Sequence, residues 1–183
     1  MAASLDSMWE GVDAVPPVQR DVLSKTRLTD WDLMRGLGEG EFLTDTVTVT
    51  SLDGTEQSIA VTITGTNDVP VISGELSGSV TEDVSVDANG DLVASGQLAI
   101  TDSDAGEAFF NEGAVAGAHG SLTIDATGAW TYEVDNALPA VQSLGTGEFL
   151  TDTLTVTSVD GTTQDITITI AGTNDVPVIN GGL

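Results

Sequence analysis

Several residue types are missing or scarce in this sequence. The chain has no cysteine, which excludes disulfide bonds and thiolate metal sites. Its single histidine, His119, excludes catalysis by a pair of histidines and is better interpreted as a loop residue than as a general base. No apolar run is long enough to cross a bilayer, and the N-terminus lacks the basic-then-apolar pattern of a cleaved signal peptide. If the protein is secreted, we expect that its export signal lies elsewhere or that the chain is a fragment.

Basic residues are also scarce. Four Lys and Arg stand against 29 Asp and Glu, which gives a net charge of -25. All four lie within the first 36 positions, at Arg20, Lys25, Arg27 and Arg35. A surface of one sign repels phosphate groups, so the charge argues against nucleic acid and anionic lipid and favours metal cations as partners. Without a long apolar run, we also expect no membrane insertion.

A long internal repeat determines the organisation. Residues 37–76 return as residues 144–183, shifted by 107 positions and with about three quarters of the residues identical. Solenoid repeats run to roughly 20–50 residues, so this period is that of a whole domain. The sequence therefore predicts tandem domains.

The segment Asn-Asp-Val-Pro serves as a boundary, because proline limits strand pairing and keeps its predecessor extended. The predicted divisions are the second half of one unit at 37–68, a complete unit at 69–175 and the start of another at 176–183. The half-unit is expected to form three strands and to seek strand exchange with another chain. Residues 1–36 match no part of the repeat. A helix-like stretch at 18–27 either patches the half-unit or belongs to a disordered or non-native leader.

Alternating apolar residues mark the strands of both units. The pattern predicts strands at 46–51, 58–64, 122–124, 130–134, 153–158 and 165–170. Gly-containing turn signals follow several of them, and we interpret Asp53-Gly54, Asn89-Gly90, Thr127-Gly128 and Asp160-Gly161 as hairpin turns. The fold class is all-β: an immunoglobulin-like or cadherin-like antiparallel β-sandwich in tandem repeat, with Trp130 and Tyr132 in the core.

The strongest site signal is an acidic loop, TDSDAGE, that contains Asp102, Asp104 and Glu107. Two Asp residues at i and i+2 can aim oxygen atoms at one point, and Gly106 permits a sharp bend. Oxygen ligands without His or Cys favour calcium or magnesium over transition metals. The alternative is a solvated turn, because the spacing is not that of an EF-hand.

A second acidic group surrounds the boundary between units, with Asp68 on one side and Glu82 and Asp83 on the other. These carboxylates repel one another unless a cation bridges them, and a bridging cation would convert a hinge into a rigid joint. Asp175 is expected to serve the following unit in the same way.

Other acidic residues are interpreted as structural. Asp87 and Asp91, in DANGD, surround a ready-made turn, which is favoured over a ligand role. Asp45 and Asp152, both within LTDT, are interpreted as polar residues at a strand edge.

The motifs D-x-D-x-G-E, G-x-W-x-Y and G-T-N-D-x-P together resemble the VCBS repeat found in tandem in giant RTX-type adhesins and biofilm proteins of Gram-negative bacteria. The resemblance covers residues 69–179 in full and 37–68 in part. It implies a cadherin-like sandwich, type I secretion and a spacer role with calcium near the linkers. The ligand candidates that it implies are Asp68, Glu82, Asp83, Asp102, Asp104 and Glu107.

The leading hypothesis is a non-catalytic, calcium-stabilised extender at the bacterial cell surface, with calcium ions and neighbouring repeat domains as partners. Two alternatives stay open. One is a glycan-binding or protein-binding β-sandwich, and the other is an accessory domain of a secreted hydrolase.

Overall fold

The computed structural model describes residues 30–177. The predicted helical stretch at 18–27 lies outside these residues, as does nearly all of 176–183. Within the described part the elements are α1 (Asp30–Arg35), β1 (Phe42–Thr50), β2 (Glu56–Thr64), β3 (Val71–Gly74), β4 (Ser77–Thr81), β5 (Asp91–Thr101), β6 (Gly113–Ala116), β7 (Ser121–Ile124), β8 (Ala129–Asp135), α2 (Pro139–Gln142), β9 (Phe149–Thr157) and β10 (Thr163–Ala171).

The half-unit forms a single antiparallel hairpin, β1–β2, in which Phe42 pairs with Thr64 and Thr50 with Glu56. Its turn holds Gly54 at φ +88°, a left-handed conformation that glycine adopts without steric cost. The expectation of three strands in this segment is wrong. Residues 65–70, which follow β2, have no regular secondary structure and form a linker instead of a third strand.

The complete unit consists of two sheets. One has the strand order β4-β10-β9 and the other the order β3-β5-β8-β7-β6. All pairs in them are antiparallel except β4 with β10, which are parallel. The predicted all-β sandwich is confirmed. The Asn89-Gly90 turn differs from the prediction, because it joins β4 to β5 in different sheets and is no hairpin turn.

The core lies between the two sheets and follows the alternation seen in the sequence. Trp130, Tyr132 and Val134 are buried on one face of β8, as predicted. The Trp130 indole packs beside Gly96 of the neighbouring strand, and its Nε1–H donates to the carbonyl oxygen of Glu75 at 3.0 Å. These residues pack against a row on the facing sheet: Leu154, Val156, Ile166, Ile168 and Ile170.

The two ends of the complete unit carry different loops. At one end Val71 pairs with Thr101, so the linker from the half-unit arrives where β5 ends. At the other end Thr81 pairs with Ala171, so the close of β4 lies beside the close of β10. A nine-residue strand such as β10 spans about 30 Å, which separates loops at these two ends.

Candidate cation sites at the two ends of the domain

The first candidate site is the loop that follows β5. The backbone N–H of Asp104 donates to Oδ1 of Asp102 at 2.9 Å, and Gly106 bends the chain at φ +85°. Asp104 is buried, with 3% of its surface exposed, and Asp102 and Glu107 are half-buried. The loop therefore holds three carboxyl groups in a poorly hydrated place.

The linker from the half-unit docks on this loop. The backbone N–H of Asp68 donates to Oδ2 of Asp104 at 2.7 Å. A separate contact joins the loop to the residue that follows α1, because the N–H of Ala105 donates to the carbonyl oxygen of Gly36 at 3.1 Å. We call Asp68, Asp102, Asp104 and Glu107 the proximal cluster. The structure thus places four of the six predicted ligands around one loop: three by their carboxyl groups, and the exposed Asp68 by its backbone N–H.

The proximal cluster is electrostatically crowded. Burial raises the pKa of the Glu107 carboxyl, and the negative charges of Asp104, Asp102 and then Asp160 raise it further. Asp160 belongs to the turn between β9 and β10, which the sequence identified only as a hairpin turn. No local pattern links it to the TDSDAGE loop, because only the sandwich brings the two together.

The second candidate site lies at the opposite end, where β4 closes. Glu82 is fully buried; its N–H donates to the carbonyl oxygen of Ala171 at 2.9 Å, and its Oε2 accepts from the N–H of Thr173 at 3.0 Å. One carboxylate oxygen each from Glu82, Asp83 and Asp175 lie within 4.8 Å of one another. We call these three residues the distal cluster.

Hydrogen bonds fix Asp83 in this cluster. Its backbone takes φ +58°, and its N–H donates to Oδ1 of Asn136 at 3.0 Å. Its Oδ1 accepts from Nδ2 of Asn136 at 2.8 Å and from Nε2 of Gln142 at 3.2 Å. These side-chain donors lower the pKa of the Asp83 carboxyl, so it stays ionised.

The grouping differs from the one expected from sequence. Glu82 and Asp83 were expected to meet Asp68 across the linker, but they lie at the other end of the domain. The cause is β4, which runs parallel to β10 and carries the chain away from Asp68. Asp175, expected to serve only a following unit, lies with Glu82 and Asp83.

Both clusters contain oxygen atoms without a partner. Among the described residues, the buried side-chain atoms with no hydrogen-bond partner are Glu82 Oε1, Asp102 Oδ2 and Asp104 Oδ1. A buried carboxylate oxygen without a donor is costly, and the sequence has no Lys or Arg beyond Arg35 to supply one. The donor set is all oxygen, which suits calcium or magnesium. The donor types at both ends therefore suit a hard divalent cation, and among the described residues only the distal cluster brings three carboxylate oxygens within 4.8 Å of one another.

Comparison with known families agrees with this architecture. Residues 67–172 match the model of the bacterial cadherin-like domain. The chain belongs to the bacterial cadherin-like domain family. No curated protein sequence matches the chain. The cadherin-like match begins at Asn67, so the docked linker lies inside it, and it ends just before Thr173, which contacts Glu82.

Two solved structures resemble this cadherin-like chain. One is a Ca²⁺-stabilised adhesin that helps an Antarctic bacterium reach out and bind ice; identity is 18%, the TM-score is 0.32, and the alignment covers 73% of this chain and 32% of that one. The other is a 1.5-MDa bacterial ice-binding adhesin studied for its retention on the host cell surface. Here identity is 21%, the TM-score is 0.34, and the coverage is 74% and 42%. The chain spans less than half of either adhesin chain.

One acidic residue of the cadherin-like domain has a purely internal role. Asp152, predicted to be a strand-edge residue, is instead buried, with 1% of its surface exposed. It accepts hydrogen bonds from the Tyr132 hydroxyl at 2.7 Å and from the backbone N–H groups of Ala118, His119 and Gly120 at 2.9 to 3.1 Å. Asp152 thereby ties the β6–β7 loop to the opposite sheet. His119 lies in that loop, as predicted.

The remaining residues that the sequence offers as candidates for a site are turn residues or aromatic side chains that lie far apart. Asp87 accepts from the N–H groups of Asn89 and Asp91, both at 2.8 Å, which confirms the predicted turn. The exposed rings Phe109 and Phe149 lie at opposite ends of the cadherin-like domain, so they form no common platform. In the described part of the chain, no helix combines the length and the apolar character needed to cross a membrane.

Proposed function

We propose that the chain is a non-catalytic extender module of a large secreted bacterial adhesin, stabilised by calcium at the two ends of its cadherin-like domain. The observation that supports this most is the set of buried, unpartnered carboxylate oxygens on Glu82, Asp102 and Asp104. Such atoms at both ends, with no cationic side chain meeting them among residues 30–177, are what a module that shares cations with its neighbours requires.

Each cluster supplies part of a coordination shell. Calcium takes six to eight oxygen ligands, and it would supply positive charge and several simultaneous bonds to carboxylates from separate loops. The proximal cluster would hold it through Asp102, Asp104 and Glu107, with the linker residue Asp68. The distal cluster would hold it through Glu82, Asp83 and Asp175.

The repeat period suggests how the clusters combine. Asp175 stands 107 positions after Asp68, so each linker carries an equivalent aspartate. Asp68 docks on the loop of the unit that follows it, while Asp175 lies beside Glu82 and Asp83 of the unit that precedes it. In a longer array, we propose, one linker would join a distal cluster behind it to a proximal cluster ahead of it.

This arrangement gives the extender its stiffness. The linker at residues 65–70 has little structure of its own, and a direct hydrogen bond joins Asp68 to Asp104. Without a cation, the carboxylates around this bond repel one another. With one, the same charges would hold the joint in one orientation and keep the array extended.

The finer assignment rests on sequence motifs. The resemblance to the VCBS repeat supports an RTX-type adhesin, exported by type I secretion to the bacterial cell surface and used in adhesion and biofilm formation. Neighbouring repeat domains would be its structural partners.

Spin labelling tests the stiffness directly, because the chain has no natural cysteine. Labels at Gln57→Cys on the hairpin and Ser95→Cys on β5 would report the distance across the linker by pulsed electron paramagnetic resonance. We expect a narrow distance distribution in calcium and a broad one in chelator. Asp104→Asn should be broad in both, while Asp87→Asn should behave as the parent protein. A distance distribution of the parent protein that is the same in calcium and in chelator would contradict the proposal.

A further inference from the structure

The hairpin β1–β2 repeats the hairpin β9–β10 residue by residue. Each inward-facing apolar residue of the first hairpin has an apolar counterpart 107 positions later in the second. Val47 corresponds to Leu154, and Ile63 corresponds to Ile170. The two hairpins also have the same strand register, since Phe42 pairs with Thr64 as Phe149 pairs with Ala171. The same face is therefore built twice in one chain.

Among residues 30–177, only one of the two faces is covered. In β9–β10 the inward residues Val156 and Ile166 are 2% and 0% exposed, because strands β5, β7 and β8 pack on them. Their counterparts Val49 and Ile59 are 42% and 51% exposed. In the described part of the chain, the hairpin β1–β2 has no facing sheet.

An inward acidic residue specifies what can cover this face. Asp152 is satisfied by the Tyr132 hydroxyl and three backbone N–H groups of the β6–β7 loop. Asp45 is its counterpart and is exposed. Two hairpins packed back to back would bury a pair of such aspartates against each other, which is unfavourable. A surface that repeats the Tyr132 hydroxyl and the loop would satisfy Asp45.

The first half of the complete unit, residues 69–143, provides that surface. Within one chain, however, these residues cannot pack on the hairpin β1–β2 as they pack on β9–β10. In the sandwich the end of β10 lies at the distal end, whereas β3 begins at the proximal end. If β2 took the position of β10, residues 65–70 would need to span about 30 Å of strand. The seven steps from Thr64 to Val71 reach at most about 25 Å even when fully extended.

We propose that the hairpin β1–β2 is an exchange site that takes residues 69–143 from a second copy of this chain. In the exchanged pair, β2 of one copy occupies the place of β10 in the other, beside its β4. Asp45 then accepts from the partner's Tyr132 hydroxyl, and the exposed apolar residues of the hairpin become core. This inference concerns the half-unit, and its test measures the oligomeric state and not cation binding.

In the intact protein β9–β10 competes for the same surface and has the advantage of being tethered to it. We therefore expect a monomer in which the exchange site stays open. Exchange becomes dominant when the tethered hairpin is disabled. Each copy then has one working hairpin and one first half, so two copies satisfy each other with closed two-fold symmetry.

The test uses the full chain with Leu154→Asp and Ile166→Asp, which place charges on the buried face of β9–β10. We expect this variant to form a dimer by light scattering and to keep most of its strand signal in circular dichroism. The matched control adds Val47→Asp and Ile59→Asp, the equivalent positions of the first hairpin, and should be monomeric and largely unfolded.

Two results would overturn the proposal. A double variant that stays monomeric, whether folded or unfolded, would show that the first hairpin does not take a second copy's segment. A parent protein that dimerises, and loses the dimer on Val47→Asp, would indicate back-to-back pairing of hairpins instead.

Discussion

The backbone N–H of Asp68 donates to Oδ2 of Asp104 at 2.7 Å, while Oδ1 of the same carboxylate has no partner. One oxygen of Asp104 thus attaches the linker to the domain, and the other is left for a ligand. Asp104 is the residue at which the joint and the proposed cation site meet, and the first prediction follows from this double role.

Asp104→Asn should weaken calcium binding at the proximal cluster by about 10–100-fold or more. The amide oxygen can still accept from Asp68, so the linker contact is kept while one negative charge is lost. Isothermal titration calorimetry measures the change. Asp87→Asn is the matched control, because Asp87 is also a loop aspartate but its oxygen accepts from its own turn. Equal affinities for the two variants would contradict the assignment.

Glu82→Gln should remove calcium binding at the distal cluster and leave the proximal cluster unchanged. The two clusters lie at opposite ends of the domain, and distant sites without shared partners usually act independently. Direct titration of the parent protein should show two sites, with each variant losing a different one. Loss of both sites in either single variant would argue against two separate clusters.

Tyr132→Phe should destabilise the domain by about 1.5–3 kcal/mol at neutral pH, because Asp152 loses a hydrogen bond from a buried hydroxyl. Urea unfolding measures this free energy. The matched control is Thr123→Val on the neighbouring β7, whose side-chain contact to Thr131 is exposed and 3.4 Å long. A Tyr132→Phe variant as stable as that control would contradict the role given to Asp152.

Tyr132→Phe should also alter the pH dependence of the free energy of unfolding. Burial acts to raise the pKa of Asp152, but hydrogen bonds from Gly120, Tyr132 and His119 outweigh it and lower that pKa below 3.8. A lowered pKa in the folded state stabilises the fold above pH 3.8, and this stabilisation is lost as pH falls through the folded value. The difference between Tyr132→Phe and the parent should therefore shrink on strong acidification. Urea unfolding at several pH values measures this difference in free energy. A difference that stays constant down to acid pH would contradict the proposed role of the Asp152 carboxylate.

Gly96→Ala should destabilise the domain by about 1–3 kcal/mol. A methyl group at Gly96 would overlap the Trp130 ring, whose Nε1–H is anchored to Glu75. Ser95→Ala is the control, since Ser95 lies on the exposed face of the same strand. Thermal unfolding compares the two, and equal midpoints would show that the ring can shift at little cost.

Much of the fold was predictable because local patterns determine it. Alternation identified both hairpins, and the buried row of Trp130 and Tyr132 followed from their spacing. The parallel pairing of β4 with β10 was not predictable, since no local signal marks a short strand that joins a distant partner. The assignment of Glu82 to the wrong end came directly from that missing pair.

The sequence allowed us to predict which acidic residues form the candidate sites, but not which of them lie together. The TDSDAGE loop is contiguous, so Asp102, Asp104 and Glu107 were expected together. Asp160 comes near the proximal cluster, and Asp175 joins the distal cluster, only through the sandwich. The burial of Asp152 is not predictable from its local sequence, because the exposed Asp45 has the same neighbours. The two differ because a second sheet covers Asp152 and not Asp45 in the described residues.

The most direct measurement is the free energy of unfolding of the full chain by urea, in excess calcium and in chelator. If calcium binds the folded state alone, stability should rise by about 2.7 kcal/mol for each site at a hundredfold excess over its Kd, and Asp104→Asn should lose a large part of the gain from the proximal site. Identical unfolding curves in calcium and in chelator would contradict the account of the cadherin-like domain as a calcium-stabilised extender.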